Sequence, residues 1–176
     1  MILILPHKKN PGFTIIEVLV SVAIFALILL LITSVVFWMN YYNSKTKADS
    51  QVQENARRVM EAITYEIKGA KGIYTPTTTS NQLSLETLHY LPNDETTTYI
   101  DFFLCGSAIC LKKESQSPII ITSDTVQATS LQFTQITNGT SSSVKINLTL
   151  TNINPANDLS HASSVSLTST VALRSY

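Results

Sequence analysis

The sequence predicts an α+β fold in which one long N-terminal helix is followed by an antiparallel, β-rich region. Two observations carry this prediction. No charged residue occurs from Val18 to Met39, and apolar residues then recur with a helical period as far as about Lys68. Beyond Pro76, apolar and polar residues alternate and β-branched residues are frequent, as in half-buried strands. We therefore expect a single small soluble domain that follows a long apolar helix.

The apolar run from Val18 to Met39 defines the first half of the predicted helix. It is as long as the roughly 20 residues that an α-helix needs to cross a bilayer. We expect residues 13–39 to form a transmembrane or assembly half that protrudes from the soluble domain. Glu17 stands at the head of this run, although a carboxylate costs about 2.5–3.5 kcal/mol at mid-membrane and less toward the interface. This charge therefore needs a partner.

Residues 40–72 are predicted to form the amphipathic second half of the helix. Their apolar side chains recur at spacings of three and four and form one stripe. The stripe consists of Val52, Ala56, Val59, Ile63, Ile67 and Ala70. We expect it to pack on a sheet of the same chain, because the alternative, a coiled-coil seam with another subunit, would be short and rich in Ala and Val. Gly69 and Gly72 are expected to end the helix.

The remaining residues, 73–176, are predicted to be the β-rich region. Turn residues such as Pro92-Asn93-Asp94 separate stretches in which apolar and polar side chains alternate. The predicted strands are Gln82–Tyr90, Thr97–Cys105, Ala108–Lys113, Pro118–Thr122, Ser130–Thr137, Val144–Thr151 and Ser164–Leu173. Because short turns connect most of them, we expect an antiparallel sheet.

The soluble part shows no pattern that indicates an enzyme, a cofactor or a metal site. Asp158, His161 and Ser163 fall in one loop, whereas the members of a catalytic triad normally come from separate elements. His89 is expected to lie in a strand and to be structural. The stretch Asn152–Asp158 offers oxygen ligands to calcium but brings only one carboxylate, so we do not expect a calcium site there.

Charge and cysteine content limit the partners and the compartment. The chain has 12 basic and 12 acidic residues, so it lacks the strong positive field that favours nucleic-acid binding. Cys105 and Cys110 flank a tight turn between two predicted strands. In an oxidising compartment a disulfide across this turn is expected, and two free thiols are the alternative.

The residues around Glu17 resemble the type III prepilin signal of type IV pilins and type II secretion pseudopilins. The matching residues are Lys8, Lys9, Gly12, Phe13, Thr14 and Glu17. The resemblance implies that a prepilin peptidase removes a leader, residues 1–12, by cutting between Gly12 and Phe13, and then methylates the new Phe13 amine. It also implies that Glu17 neutralises the Phe13 amine of a neighbouring subunit during assembly.

Shorter patterns resemble one branch of these families, the J-type minor pseudopilins and the W-type minor pilins. They are Arg57-Arg58 within the helix, Glu66–Ala70 at its end and Val171–Ser175 in the last strand. The resemblance implies a minor structural subunit of a type IV pilus or a type II secretion-like filament. Its implied partners are the prepilin peptidase, other pilin or pseudopilin subunits, an inner-membrane assembly platform and membrane lipid.

Lys8 and Lys9, which precede the apolar run, predict a cytoplasmic N-terminus and a periplasmic or extracellular soluble domain. The resemblance implies later transfer into the filament. A secretory signal peptide would carry a small-residue cleavage site after the run, where Phe37-Trp38-Met39 stands instead. An uncleaved signal anchor leaves Glu17 unexplained. The competing function is a single-pass, membrane-anchored adhesin that does not polymerise.

Overall fold

The computed structural model describes residues 12, 14–91, 93, 95–138, 141–154 and 162–174. Within these residues the chain forms one long helix and eight strands. In chain order they are α1 (Ile15–Gly69), β1 (Ala70–Ile73), β2 (Gln82–Thr87), β3 (Thr98–Cys105), β4 (Ala108–Lys113), β5 (Ile119–Ile120), β6 (Val126–Asn138), β7 (Ser141–Asn152) and β8 (Ser164–Ala172). The predicted α+β class, a long N-terminal helix followed by antiparallel sheets, is confirmed.

The chain divides into two units, Met1–Tyr42 and Asn43–Tyr176, and α1 contributes residues to both. In the first unit, every described residue from Thr14 to Tyr42 is exposed. Within the described residues, α1 is the one helix long and apolar enough to cross a membrane. A helix that is apolar all round and buried nowhere in its own unit needs an apolar environment from outside.

In the second unit, α1 packs its apolar stripe against the sheets of its own chain. The predicted members of the stripe are all fully buried, at 0% exposure. They share one hydrophobic core with apolar side chains of both sheets. Burying a Val or Ile side chain of this kind stabilises the fold by about 1.5–3 kcal/mol. The predicted packing is therefore confirmed, and the stripe is unavailable as a seam with another subunit.

The strands form two antiparallel sheets, each in sequence order. Strands β1 to β5 make the first sheet and β6 to β8 make the second. In β3, Thr98, Ile100 and Phe102 are buried while the residues between them are less so. The same period of two places one face of β7 in the core. The buried residues of β7 are Val144, Ile146, Leu148 and Leu150.

Strand β6 links the two sheets through backbone hydrogen bonds to loops of the first. The N–H of Ala128 donates to the carbonyl of Ser107 at 2.7 Å, and the N–H of Phe133 donates to the carbonyl of Ser80 at 2.8 Å. These bonds satisfy backbone groups that would otherwise be unpaired at the edge of the second sheet.

A buried polar side chain, Asn55, ties α1 to the loop between β5 and β6. Its amide donates to the carbonyl of Gln51 at 2.9 Å, and its Oδ1 accepts hydrogen bonds from Ser123 N at 3.0 Å and Arg58 Nη2 at 3.1 Å. Arg58 also donates to the carbonyl of Ile121 at 3.1 Å. Because a buried polar group left unpaired costs about 1–3 kcal/mol, this network fixes the loop against the helix.

Of the two glycines expected to end α1, Gly69 is the one that does so. The chain continues directly into β1, a strand that was not predicted and that contains the other candidate, Gly72. A Cβ at residue 69 would lie 2.8 Å from Cε1 of His89. The glycine at this position therefore leaves room for the ring of a distant residue, an arrangement that no local pattern contains.

Strand β2 ends earlier than predicted, at Thr87 instead of Tyr90. The Thr87 hydroxyl accepts a hydrogen bond from the backbone N–H of His89 at 3.1 Å, and Tyr90 adopts a φ of 64°. This left-handed conformation is rare for a residue with a side chain and ends the extended backbone. His89 was therefore wrongly placed in a strand, and it lies in a turn.

Three further strands differ in length from the prediction by three residues or more. Strand β5 is reduced to Ile119–Ile120, β6 begins at Val126 instead of Ser130, and β7 begins at Ser141 instead of Val144. An irregularity in the β6–β7 register between Ala128 and Ser130 interrupts the alternation of side chains there, as a bulge does. The alternation of apolar and polar residues therefore indicated this strand only from Ser130 onward.

The core predicts that Ile63→Ala destabilises the protein by about 2–5 kcal/mol, because the substitution leaves a cavity at a fully buried position. Urea unfolding of the full chain in detergent, followed by near-ultraviolet circular dichroism, measures the change. Ile136→Ala is the matched control, since Ile136 is 41% exposed, and it should cost less than about 1 kcal/mol. Equal losses in the two variants would contradict the assignment of Ile63 to the core.

Candidate functional site

The helix α1 begins at a capped N-terminus. Thr14 precedes its first residue, and the backbone N–H of Glu17 donates to Thr14 Oγ1 at 3.3 Å and to the Thr14 carbonyl at 3.1 Å. Thr14 is therefore the N-cap residue, and it satisfies a backbone N–H that a helix start leaves free. Thr14 and Glu17 also have the spacing of a capping box, a signal present in the sequence that the sequence analysis did not use.

Glu17 lies in the first turn of α1, where the positive end of the helix dipole favours a carboxylate. Its side chain is exposed. Within the part of the chain that the structure describes, the Glu17 carboxylate has no hydrogen-bond donor and no ion-pair partner. Phe13, the predicted methylation site, and Lys8 and Lys9 lie outside the described residues.

Gly12 is the described residue at the predicted cleavage position. No heavy atom lies within 4 Å of the place where a Cβ would stand, and its φ is outside the range that favours glycine. Neither packing nor backbone conformation therefore requires a glycine here.

The apolar run of α1 presents large side chains on all sides, with Ile15 at 83% and Phe37 at 74% exposure. Its hydroxyl side chains bond to the helix backbone: Ser21 donates to the carbonyl of Glu17 at 2.7 Å and Ser34 to the carbonyl of Leu31 at 2.8 Å. Thr33 bonds to backbone carbonyls in the same way. These polar interruptions therefore carry no unsatisfied donor into an apolar environment.

Cys105 and Cys110 form a disulfide across the β3–β4 hairpin, with their Cα atoms 5.9 Å apart. The hairpin turn consists of Gly106 and Ser107, and Gly106 has a φ of +70°. Two-residue hairpin turns need this left-handed conformation, which glycine adopts without steric cost. The bridge closes a short loop and holds the end of the hairpin together.

A polar cavity of about 710 Å³ lies where β7 ends, and Lys45 and Asp49 line it. Lys45 donates to the carbonyl of Ala162 and lies 3.6 Å from the Asp49 carboxylate. An ammonium in this position disfavours a second cation. Among the described residues, no group of three or more His, Cys, Asp or Glu side chains could hold a metal. Most of the stretch considered for calcium, residues 155–158, and His161 lie outside the described residues.

A second polar cluster joins the end of α1 to the turn after β2. Glu66 is only 6% exposed, and the Tyr90 hydroxyl donates to its Oε1 at 3.3 Å, while Oε2 has no partner among the described residues. The Lys113 ammonium lies 3.5 Å from the centre of the Tyr90 ring. The negative charge of Glu66, and secondarily burial, raises the pKa of Tyr90 above its ordinary value. Sequence analysis missed this cluster, since its residues come from three distant segments.

Residues 7–33 match a sequence model described as the prokaryotic N-terminal methylation motif. The match includes Gly12, Phe13 and Glu17, and this motif is typical of type IV pilins and pseudopilins. No curated protein and no solved structure matched the chain. The chain therefore carries the N-terminal signature of pilin-like prepilins, on a helix that is apolar enough to anchor it in a membrane.

The Glu66–Tyr90 contact predicts that Tyr90 ionises above the ordinary tyrosine pKa of 10.0. Glu66→Gln should move its pKa back toward that value, because the main cause of the shift is the Glu66 charge. Ultraviolet difference titration against Tyr90→Phe isolates this residue among the seven tyrosines. The contribution of neutral Tyr90 to the free energy of unfolding should be fully present below pH about 10. It should be lost as the pH rises through the higher pKa that Tyr90 has in the folded state.

Glu86→Gln is the control for this titration, because Glu86 pairs with Lys71 at 2.7 Å. It should leave the Tyr90 titration unchanged. A Tyr90 titration that stays the same in Glu66→Gln would contradict the assigned cause.

Proposed function

We propose that this protein is a minor pilin or pseudopilin, a structural subunit of a type IV pilus or type II secretion-like filament. The observation that carries the proposal is the methylation motif at residues 7–33, which overlaps the first half of α1, where the large apolar side chains are exposed. A motif of this kind supports processing by a prepilin peptidase. The exposed helix then needs an apolar environment both before and after assembly.

Processing would hydrolyse the peptide bond between Gly12 and Phe13 and leave a free amine on Phe13. That amine stands immediately before the N-cap Thr14, at the positive end of the helix dipole, where an ammonium is unfavourable. A nearby carboxylate offsets this cost. Glu17 is the acidic residue in the first turn, and its carboxylate has no partner in the described chain.

Two pairings of Glu17 are open to it after cleavage. The carboxylate can face its own Phe13 amine, or it can face that of a neighbouring subunit. We favour the pair between subunits. In an apolar environment, the loss of one partner leaves the other charge uncompensated, which destabilises the assembly by about 3–5 kcal/mol. Such a pair therefore selects correctly aligned helices during assembly.

The apolar half of α1 would have two successive environments. Before assembly it lies in the membrane as a single span, with the N-terminus cytoplasmic and the soluble unit periplasmic or extracellular. In the filament it packs against the corresponding helices of other subunits. The peptidase, an inner-membrane assembly platform, membrane lipid and other pilin or pseudopilin subunits are the partners this cycle requires.

The role we propose for the soluble unit is structural rather than catalytic. The apolar stripe of α1 is buried in the core of the same chain. Contacts with other subunits are therefore left to the apolar half of the helix and to the outer surfaces of the sheets. The Asn55 network and the Cys105–Cys110 bridge hold two of its loops in place.

Mass spectrometry of the protein from cells that contain the peptidase tests the processing step. The first residue of the processed chain should be Phe13. Its mass should exceed that of the unmethylated processed chain by the replacement of one hydrogen with a methyl group. Gly12→Val should block cleavage, because a side chain at this position obstructs the close approach of a protease to the peptide bond. It should not disturb the fold, because no atom of the described residues lies within 4 Å of the place where a Cβ would stand. A wild-type chain that keeps Met1 would overturn the processing claim, and cleavage of Gly12→Val at the wild-type rate would remove the reason given for the glycine.

Glu17→Gln tests the pairing role with a side chain of the same shape. The variant should be inserted and cleaved normally, but its amount in sheared filaments should fall by at least about tenfold, which corresponds to only about 1.4 kcal/mol. Glu54→Gln is the control, since Glu54 is also an exposed helical carboxylate, and it should assemble as the wild type does. Wild-type amounts of Glu17→Gln in the filaments would refute the pairing.

The same shearing experiment separates the filament subunit from the anchored adhesin. A filament subunit leaves the cells with the sheared fibres, whereas an anchored protein that does not polymerise stays in the membrane fraction. Cleaved, methylated wild-type protein that is found only in the membrane fraction would favour the adhesin.

A further inference from the structure

An aromatic cluster stands at the C-terminal end of the apolar run of α1. Trp38 and Tyr42 lie one helical turn apart, with ring centroids 4.5 Å apart and the rings in edge contact. Tyr41 contacts Tyr42 in the same manner at 5.8 Å. The three side chains are 63%, 46% and 50% exposed for Trp38, Tyr41 and Tyr42, so they contact each other without entering a core.

The chain changes character at this cluster. The residues before it, Val18–Met39, carry no charge, whereas Asn40 and Asn43 surround the tyrosines and Lys45 follows. Trp and Tyr combine an apolar ring with a polar N–H or O–H, and they are enriched where the hydrocarbon of a bilayer meets its headgroups. Both the position of the cluster and its chemistry therefore match that boundary.

The spacing between this cluster and Glu17 supports the same assignment. At 1.5 Å per residue, the helix rises roughly 32 Å from Glu17 to Trp38. The hydrocarbon core of a bilayer is about 30 Å thick. When Trp38 lies at one boundary, Glu17 lies at the other, where a carboxylate costs less than at mid-membrane.

We propose that Trp38, Tyr41 and Tyr42 form an interfacial anchor, a surface that binds the headgroup–hydrocarbon boundary of a lipid bilayer and fixes the depth of α1. The proposal rests on the membrane-inserted form in the proposed function and adds which residues set its depth. Its consequence is that Glu17 and the bond between Gly12 and Phe13 are held at or beyond the opposite boundary, outside the hydrocarbon. A peptidase can then reach the bond without pulling the helix from the membrane.

The depth of Trp38 can be measured directly, because it is the one tryptophan in the sequence. The full chain is reconstituted into phosphatidylcholine vesicles, and its fluorescence is quenched by lipids brominated at defined acyl positions. We expect quenching to be strongest with bromine nearest the headgroup and to weaken as the bromine moves deeper. Strongest quenching by the deepest bromine, or quenching only by aqueous iodide in a chain that floats with the vesicles, would overturn the proposal.

A chain in which Trp38→Phe is combined with Phe25→Trp is the depth control, and it should show the reverse order of quenching. Tyr41→Leu combined with Tyr42→Leu tests whether the tyrosines hold the depth. This change lengthens the apolar run, so the Trp38 quenching maximum should shift to a deeper bromine. An unchanged maximum would show that the tyrosines do not anchor the helix and would contradict the proposal.

Vesicle flotation distinguishes failure of the interfacial anchor from failure of the proposed function. A chain that floats, is resistant to alkaline extraction and has a deep Trp38 refutes the interfacial anchor and leaves the membrane-anchored subunit standing. A chain that does not float refutes both, because the membrane form itself is then wrong.

Discussion

Burial of one stripe of α1 is the interaction on which the second unit, Asn43–Tyr176, depends. Val52, Ala56, Val59, Ile63 and Ile67 are wholly removed from solvent and share their core with both sheets. The buried residues of both sheets belong to the same hydrophobic core as these helix residues. The helix therefore organises the unit, and the Asn55 and Glu66 contacts fix loops whose position the apolar packing leaves undetermined.

The same helix meets opposite physical requirements along its length. Residues after about Asn43 alternate between a buried and a solvated face, and their apolar groups are satisfied within the chain. The apolar side chains of residues 15–39 face all sides of the helix and are exposed among the described residues of their own unit. Because exposed apolar surface of this extent is costly in water, the second requirement points outside the chain, to lipid or to other helices. The Glu17 carboxylate also has no partner among the described residues of the chain.

Much of the fold and of the candidate site could be predicted from local patterns. The stripe was read from spacings of three and four, and most strands from alternation, because in both cases one face is buried and the other is solvated. The N-terminal signature was legible for a similar reason, because the methylation motif at residues 7–33 is a continuous stretch of sequence. The Thr14 cap was equally local, and its spacing to Glu17 was visible although it was not used.

The sequence by itself determined the elements whose cause is local: the long helix, its apolar and amphipathic halves, the alternating strands and the segment around Gly12 and Glu17. Only the tertiary structure decided features whose cause is a distant residue. The ring of His89 lies where a side chain at residue 69 would begin, and Glu66 meets Tyr90 because the turn after β2 folds back onto the end of α1. The tertiary structure alone also decided how the strands divide into two sheets. Alternation records which face of a strand is buried, and it carries no information about which strand lies beside it.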